Sequence, residues 1–298
     1  MTQDKKKLTN KEMISHLQSK GVTFEIVSES QAIAILRQNT YFYKVTAYRK
    51  NFFKEEDKYK SLDFAMLSDL ATIDMRLRYL LLQLSLDYEH AIKSKLLDII
   101  TNDPQEDGYD VVQRFRKKHP NTYKIIMNDF HKNKYNKDMY KKRKDKVAIW
   151  TLFEVISFGS LSIFIDFLWN DKGTKSIREA KNLTKYAKNI RNAAAHSNPI
   201  LVNLFDKSTQ KKNDQAVVSY ASLFGIDSKD LKDKKINDIF SLFYLHKIYC
   251  SSGINNARVN DLKSLLKRAE YHKEWYSDID CLKKFRKIIK LSLDYLEK

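Results

Sequence analysis

Apolar residues recur at helical spacing along most of the chain. The longest such pattern covers residues 62–100, where leucines and isoleucines fall three and four positions apart. The 298 residues include only 6 glycines and 3 prolines. Because sheet proteins need many turn residues, this scarcity favours long helices. The pattern therefore predicts an all-α fold.

Capping signals mark two helices near the N-terminus. Thr9 and Glu12 form a capping box, in which each side chain bonds to a backbone amide of the other residue, and they predict a helix over 10–20. Ser28 begins a second predicted helix near 29–38 in the same way. The stretch between these helices is either a short strand or an extended linker.

Residues 40–53 are dense in aromatic side chains. The aromatic residues are Tyr41, Phe42, Tyr43, Tyr48, Phe52 and Phe53. Two interpretations stay open, a packed corner of the core or a platform on which nucleic-acid bases stack.

A strongly basic stretch covers 131–146, which we call the basic segment. It carries eight Lys and Arg residues against two acids, with Tyr135 and Tyr140 interleaved. Its candidate RNA-binding residues are Lys134, Lys137, Lys141, Lys142, Arg143, Lys144 and Lys146. The pattern is typical of a nucleic-acid-binding patch, and it fits a solvated loop as well.

The largely apolar run 147–169 is long enough to span a membrane. Glu154 and Asp166 lie inside it, and a charged side chain near a bilayer centre costs about 2.5–3.5 kcal/mol. We therefore predict a buried core helix. A carboxylate in such a helix needs a partner or stays protonated, and Glu154 belongs either to a structural ion pair or to an active site.

The chain divides into three predicted regions that together form one unit. Residues 1–60 form an N-terminal helical region, 61–205 a central helical region, and 206–298 a C-terminal helical region of about three helices. The polar stretch 206–215 predicts a loop.

The charge balance points to polyanionic partners. The formal net charge is +18, carried by 55 Lys and Arg against 37 Asp and Glu. Such a surface attracts RNA, DNA or anionic lipid, unless the lysine content only reflects an AT-rich genome. Cys250 and Cys281 lack metal-ligand spacing, so we expect no structural zinc and a reducing cytoplasm. The first ten residues are polar and do not resemble a signal peptide.

One short motif combines groups that can cleave RNA. It begins with Arg191 and Asn192, continues through three alanines and ends with His196, at the predicted end of a helix. An imidazole can move protons near neutral pH, and a guanidinium can stabilise charge on phosphate oxygens. A second Arg-x4-His pair, Arg114 and His119, runs into a proline in a charged stretch and is interpreted as surface.

Helix geometry favours a site shared between two copies of the motif. Residues five apart on an ideal helix differ by about 140° in direction, so Arg191 and His196 do not share a face. Either the helix bends or ends between them, or two motifs face each other. The small surface of Ala193 to Ala195 favours close two-fold packing.

Four blocks in this order resemble the AbiD/AbiF-type abortive infection family. The first three are Tyr41-Phe-Tyr-Lys-Val-Thr-Ala-Tyr48, the stretch from Asp74 to Lys95, and Trp150-Thr-Leu-Phe-Glu-Val-Ile-Ser-Phe-Gly-Ser-Leu-Ser162. The motif at Arg191 closes the series, and the similarity covers most of residues 11–205. The resemblance implies a helical bundle of the HEPN superfamily, with helical extensions at both ends.

The resemblance also implies a function. Members are metal-independent endoribonucleases with a dimeric Arg-x4-His site, acting in phage defence or as toxins, and some are restrained by a small noncoding RNA. By that pattern Arg191 and His196 are the catalytic pair, Asn192 supports them and Glu154 is an orienting acid. The residues after His196, beginning Ser197-Asn-Pro, depart from the family pattern, which leaves the substrate contacts open.

We therefore expect a homodimeric cytoplasmic endoribonuclease that binds RNA, without a cofactor or a bound metal. The alternative is a non-catalytic RNA-binding protein in which the motif only grips an RNA backbone. A DNA-binding regulator ranks third, because no helix-turn-helix signature stands out.

Overall fold

The computed structural model describes residues 7–207, 210 and 215–297. In that part of the chain the α-helices are α1 (Asn10–Ser19), α2 (Glu29–Gln38), α3 (Phe42–Ala47), α4 (Phe64–Thr101), α5 (Asp110–Lys118), α6 (Pro120–Lys132), α7 (Lys137–Arg143), α8 (Ile149–Val155), α9 (Phe158–Lys172), α10 (Arg178–Ala195), α11 (Gln215–Ala221), α12 (Lys234–Tyr249), α13 (Ser252–Ala269) and α14 (Asp280–Glu297). The prediction of an all-α fold is confirmed.

Four two-residue strands complete the regular structure of the described residues. Strand β1 (Val22–Thr23) pairs in parallel with β4 (Leu62–Asp63), and β2 (Lys54–Glu55) pairs antiparallel with β3 (Lys58–Tyr59). The stretch between the first two helices thus begins as a short strand, and both predicted capping boxes form.

Helix α4 is the longest element, and it organises the rest. Its 38 residues begin at the cap Asp63, whose carboxylate accepts the backbone amide of Ala65 at 2.8 Å. Helices α10, α12 and α13 pack against α4, while α9 packs on α10 and α14 on α13. Nearly all of the buried apolar side chains form one connected cluster that extends from Ile14 to Leu296.

The prediction of one helix over 147–169 is wrong. The run forms α8 and α9, separated at Ile156, whose ψ of 129° is extended. The hydroxyl of Ser157 accepts the backbone amide of Ser160 at 3.2 Å and so caps α9. In an unbroken helix this amide would bond to the carbonyl four residues earlier, and here the serine hydroxyl replaces that carbonyl. Because the break depends on this polar bond, the hydrophobic pattern alone did not predict it. Across the described residues no helix is long and apolar enough to cross a membrane.

The C-terminal region contains the three long helices α12, α13 and α14, preceded by the short α11. Most of the loop predicted over 206–215 lies outside the described residues. His246 on α12 is fully buried, and its ring nitrogens lie 2.9 Å from Asn255 Oδ1 and 3.2 Å from Asp87 Oδ2. Burial lowers the pKa of this imidazole, so His246 is a core residue.

Candidate functional site

The Arg-x4-His motif lies where α10 ends. Arg191 and Asn192 are in the last turns of the helix, and His196 is its C-cap residue. The backbone amide of Asn198 donates to Ala193 O at 2.9 Å, and that of Ser197 donates to Ala194 O at 3.0 Å.

These two hydrogen bonds define a Schellman motif, which terminates the helix with a left-handed residue. Ser197 supplies that residue, with φ of 56°. The local backbone therefore fixes the position of His196, and its side chain is exposed.

Arg191 is held on the side of the helix that faces α9. Its guanidinium carbon lies 5.8 Å from the centroid of the Phe158 ring, and its Nη1 donates to Asn192 Oδ1 at 3.0 Å. Within the described residues neither side chain hydrogen-bonds to the ring of His196. The structure thus joins Arg191 to Asn192 and shows no hydrogen bond from either side chain to the imidazole, although residues four apart on a helix, such as Asn192 and His196, share a face.

The other Arg-x4-His pair is occupied by structural contacts. Arg114 Nη2 lies 2.5 Å from Glu106 Oε1 and 2.9 Å from Asp171 Oδ2. The Asp171 carboxylate and Glu106 raise the pKa of Arg114 against the effect of burial. The ring of His119 packs 5.4 Å from that of Phe115. Arg114 therefore stabilises the junction between α5 and α9.

Glu154 does not occupy the buried position expected of it. Its side chain is exposed on α8, and it forms no ion pair with another described residue. It lines a surface pocket of about 440 Å³ together with Lys142, Arg143 and Trp150. The expectation of a structural ion pair for Glu154 is wrong among the described residues, because the face of α8 that carries Glu154 points to solvent. An orienting role for Glu154 stays a prediction.

The basic segment lies on the surface beside this pocket. It forms a short 3-10 turn and then α7, and all seven of its candidate RNA-binding residues are exposed. None of the seven forms an ion pair with a described residue. Lys146 Nζ lies 4.3 Å from the centroid of the Tyr109 ring. The unneutralised charge suits a phosphate backbone, and RNA binding here stays a prediction.

A buried carboxylate anchors the loop that follows His196. Asp74 on α4 is completely buried, and its Oδ1 accepts the backbone amides of Ile200 and Leu201, each at 2.7 Å. Its Oδ2 lies 2.9 Å from Nε of Arg78, which is also buried. Asp74 therefore connects the longest helix of the fold to the loop after the motif.

Two further side chains hold the same loop. Asn51 Nδ2 donates to Leu201 O at 2.6 Å, and Lys235 Nζ donates to Ile200 O at 3.0 Å and to Val202 O at 2.5 Å. Burial lowers the pKa of Lys235. The loop is thus fixed from the N-terminal region, the central region and the C-terminal region at once.

Asp74 and Arg78, four residues apart on α4, form a buried ion pair. The role of Asp74 under the motif loop was missed, because nothing local to Asp74 signals bonds to residues 126 and 127 positions away. Asn51 and Lys235 were missed for the same reason.

Among the described residues, no group of three or more His, Cys, Asp and Glu side chains could hold a metal ion. A family model described as Abi-like protein matches residues 34–202, which is more than half of the chain. The matched part includes the aromatic stretch, α4, the basic segment and the whole Arg191–His196 motif. No curated protein and no solved structure matches the chain.

Proposed function

The chain belongs to the Abi-like protein family, and on that premise we propose that it is a metal-independent endoribonuclease with its active site at Arg191 and His196. The family indicates abortive infection, a form of phage defence in which an infected cell stops growing. RNA cleavage supplies a direct route to that result, in the manner of a toxin.

The position of His196 is the observation that carries this proposal. His196 is the C-cap residue of α10, so its backbone is placed by the helix end, and its imidazole is open to solvent on a strongly basic protein. A general acid or base must reach a reacting proton, so an exposed imidazole at a defined helix end suits that task.

The chemistry uses a nucleophile that belongs to the substrate. A base removes the proton of the RNA 2′-hydroxyl, and the 2′-oxygen attacks the adjacent phosphorus. The bond from phosphorus to the 5′-oxygen breaks, and an acid protonates that oxygen as it leaves. The products are a 2′,3′-cyclic phosphate and a 5′-hydroxyl. His196 serves as base or acid, and Arg191 stabilises the charge on the phosphate oxygens.

A dimer supplies both proton-transfer groups. The motif of one chain provides a single imidazole, and its Arg191 is held against Phe158 and Asn192. Two motifs related by a two-fold axis bring two imidazoles and two guanidiniums around one phosphate. We therefore propose a homodimer with both motifs lining one cleft.

Fewer of the three alanines are available for two-fold packing than the sequence indicated. Ala194 is 3% exposed and belongs to the core of its own chain, whereas Ala195 is exposed. A bulky residue at Ala195 thus tests the interface without filling the core.

We predict that Ala195→Trp weakens the dimer and the cleavage activity together, because the indole would separate the two helix ends. Light scattering and an RNA cleavage assay on the same sample measure both. The matched control is Ala257→Trp, at an exposed position of α13. A protein that stays fully active as a strict monomer would refute the shared site.

The non-catalytic alternative rests on the contacts of Arg191. A guanidinium fixed on Phe158 and Asn192 could bind a phosphate without taking part in a reaction. Under this alternative the protein binds RNA, and wild-type protein leaves the RNA intact.

Cleavage in excess EDTA is the experiment that tests the proposal. We expect purified wild-type protein to cleave RNA at the same rate with EDTA and with magnesium, because no step requires a metal. Loss of all activity in EDTA with recovery in magnesium would overturn the mechanism, and intact RNA in both conditions would favour the non-catalytic alternative.

A further inference from the structure

A groove of about 1070 Å³ lies beside the loop that follows His196. Ser197, Asn198 and Pro199 line one side of it, and residues of α3 line another. Because Ser197 is the residue bonded to His196, the groove begins directly at the motif. We call it the α3 groove.

Two tyrosine rings at the start of α3 are open to solvent in this groove. Tyr41 is 59% exposed and Tyr43 is 82% exposed, whereas Tyr48 is fully buried. The aromatic stretch thus divides, since Tyr48 packs in the core and the first two tyrosines face outward. Exposed aromatic rings are costly to leave in water, and they offer flat faces on which unpaired bases stack.

The charged side chains that line the α3 groove are all basic. Its described lining includes Lys44, Arg49, Lys50 and Lys235, and it includes no Asp or Glu. Lys44 Nζ lies 5.3 Å from the centroid of the Tyr41 ring, which places a cation beside a stacking surface. Lys50 is exposed and forms no ion pair with a described residue. Such a lining attracts a polyanion that carries aromatic groups.

We propose that the α3 groove binds single-stranded RNA, with bases stacked on Tyr41 and Tyr43 and the backbone near Lys44 and Lys50. A single strand is the fitting ligand because the bases of a duplex are already paired and stacked on each other. The strand enters the active site along this groove. Cleavage of this strand at the Arg191–His196 site rests on the proposed function, whereas RNA binding in the groove does not.

Binding is measured in a His196→Ala background, so that the RNA stays intact. Fluorescence anisotropy with a short labelled single-stranded RNA gives the dissociation constant. We expect Tyr43→Ala to weaken binding about 5-fold or more, the loss of one stacked base, and Tyr43→Phe to retain it. Lys50→Ala should flatten the slope of log affinity against log salt by about 0.7.

Tyr271→Ala is the matched control, because Tyr271 is 74% exposed and lies outside the groove. It should bind as the parent does, and circular dichroism should show the same fold for every variant. The proposal is overturned if Tyr43→Ala binds as tightly as Tyr43→Phe, or if an RNA duplex competes as well as a single strand. If wild-type protein fails to cleave RNA while binding still depends on Tyr43, the proposed nuclease function is wrong, and the proposal that the α3 groove binds RNA is supported.

Discussion

Replacing His196 with alanine should abolish RNA cleavage while leaving the fold intact. General acid and base catalysis by a positioned side chain contributes about 10²–10⁴ in rate, so the loss should be at least of that size. The imidazole is exposed at the end of α10, and the Schellman hydrogen bonds that terminate the helix use only backbone atoms. Initial rates on a labelled RNA, with thermal unfolding of the same samples, measure both effects.

The other Arg-x4-His pair provides the matched control. His119→Ala removes an imidazole that packs on Phe115, and it should leave the cleavage rate nearly unchanged. If His119→Ala were inactive and His196→Ala active, the active site would have been assigned to the wrong copy of the motif.

Replacing Asp74 with alanine should destabilise the protein by about 3–5 kcal/mol, the usual cost of breaking a buried ion pair. The side chains of Asp74 and Arg78 are 0% and 7% exposed, so removing the carboxylate leaves a buried guanidinium without a partner. The backbone amides of Ile200 and Leu201 lose their acceptor as well. Urea unfolding measures the change in the free energy of unfolding.

Glu89→Ala is the comparison for this effect. Its ion pair with Lys93 also joins residues four apart on α4, but both side chains are partly exposed. We expect a loss of about 1 kcal/mol or less, because solvent screens such a pair. Equal losses for the two variants would show that Asp74 does not anchor the loop after His196.

Local signals in the sequence predicted much of the fold. The capping boxes at Thr9 and Ser28 placed α1 and α2 nearly to the residue, because a cap satisfies amides within one turn. The break at Ile156 was missed because the apolar run continues through it. Ser157 caps α9 only when its hydroxyl accepts the backbone amide of Ser160, and a serine inside a helix can instead bond to a carbonyl of the preceding turn.

Contacts between residues far apart in the sequence could not be predicted. The helical spacing left two possibilities for Arg191 and His196, and the structure shows one of them, because α10 ends at Ala195, between the two residues. The placement of Glu154 beside Lys142, and of Asp74 under the loop at Ile200, depends on how distant helices pack. No periodicity or spacing within one helix encodes such a pairing.

An RNA with a single 2′-deoxy nucleotide at the mapped cleavage position shows whether the 2′-hydroxyl of the substrate is the nucleophile. We expect wild-type protein in EDTA to cleave the all-ribose RNA to a 2′,3′-cyclic phosphate and a 5′-hydroxyl, and to leave the 2′-deoxy RNA uncut at that position. Cleavage of the 2′-deoxy RNA at the same position, or products that end in a 3′-hydroxyl and a 5′-phosphate, would contradict it.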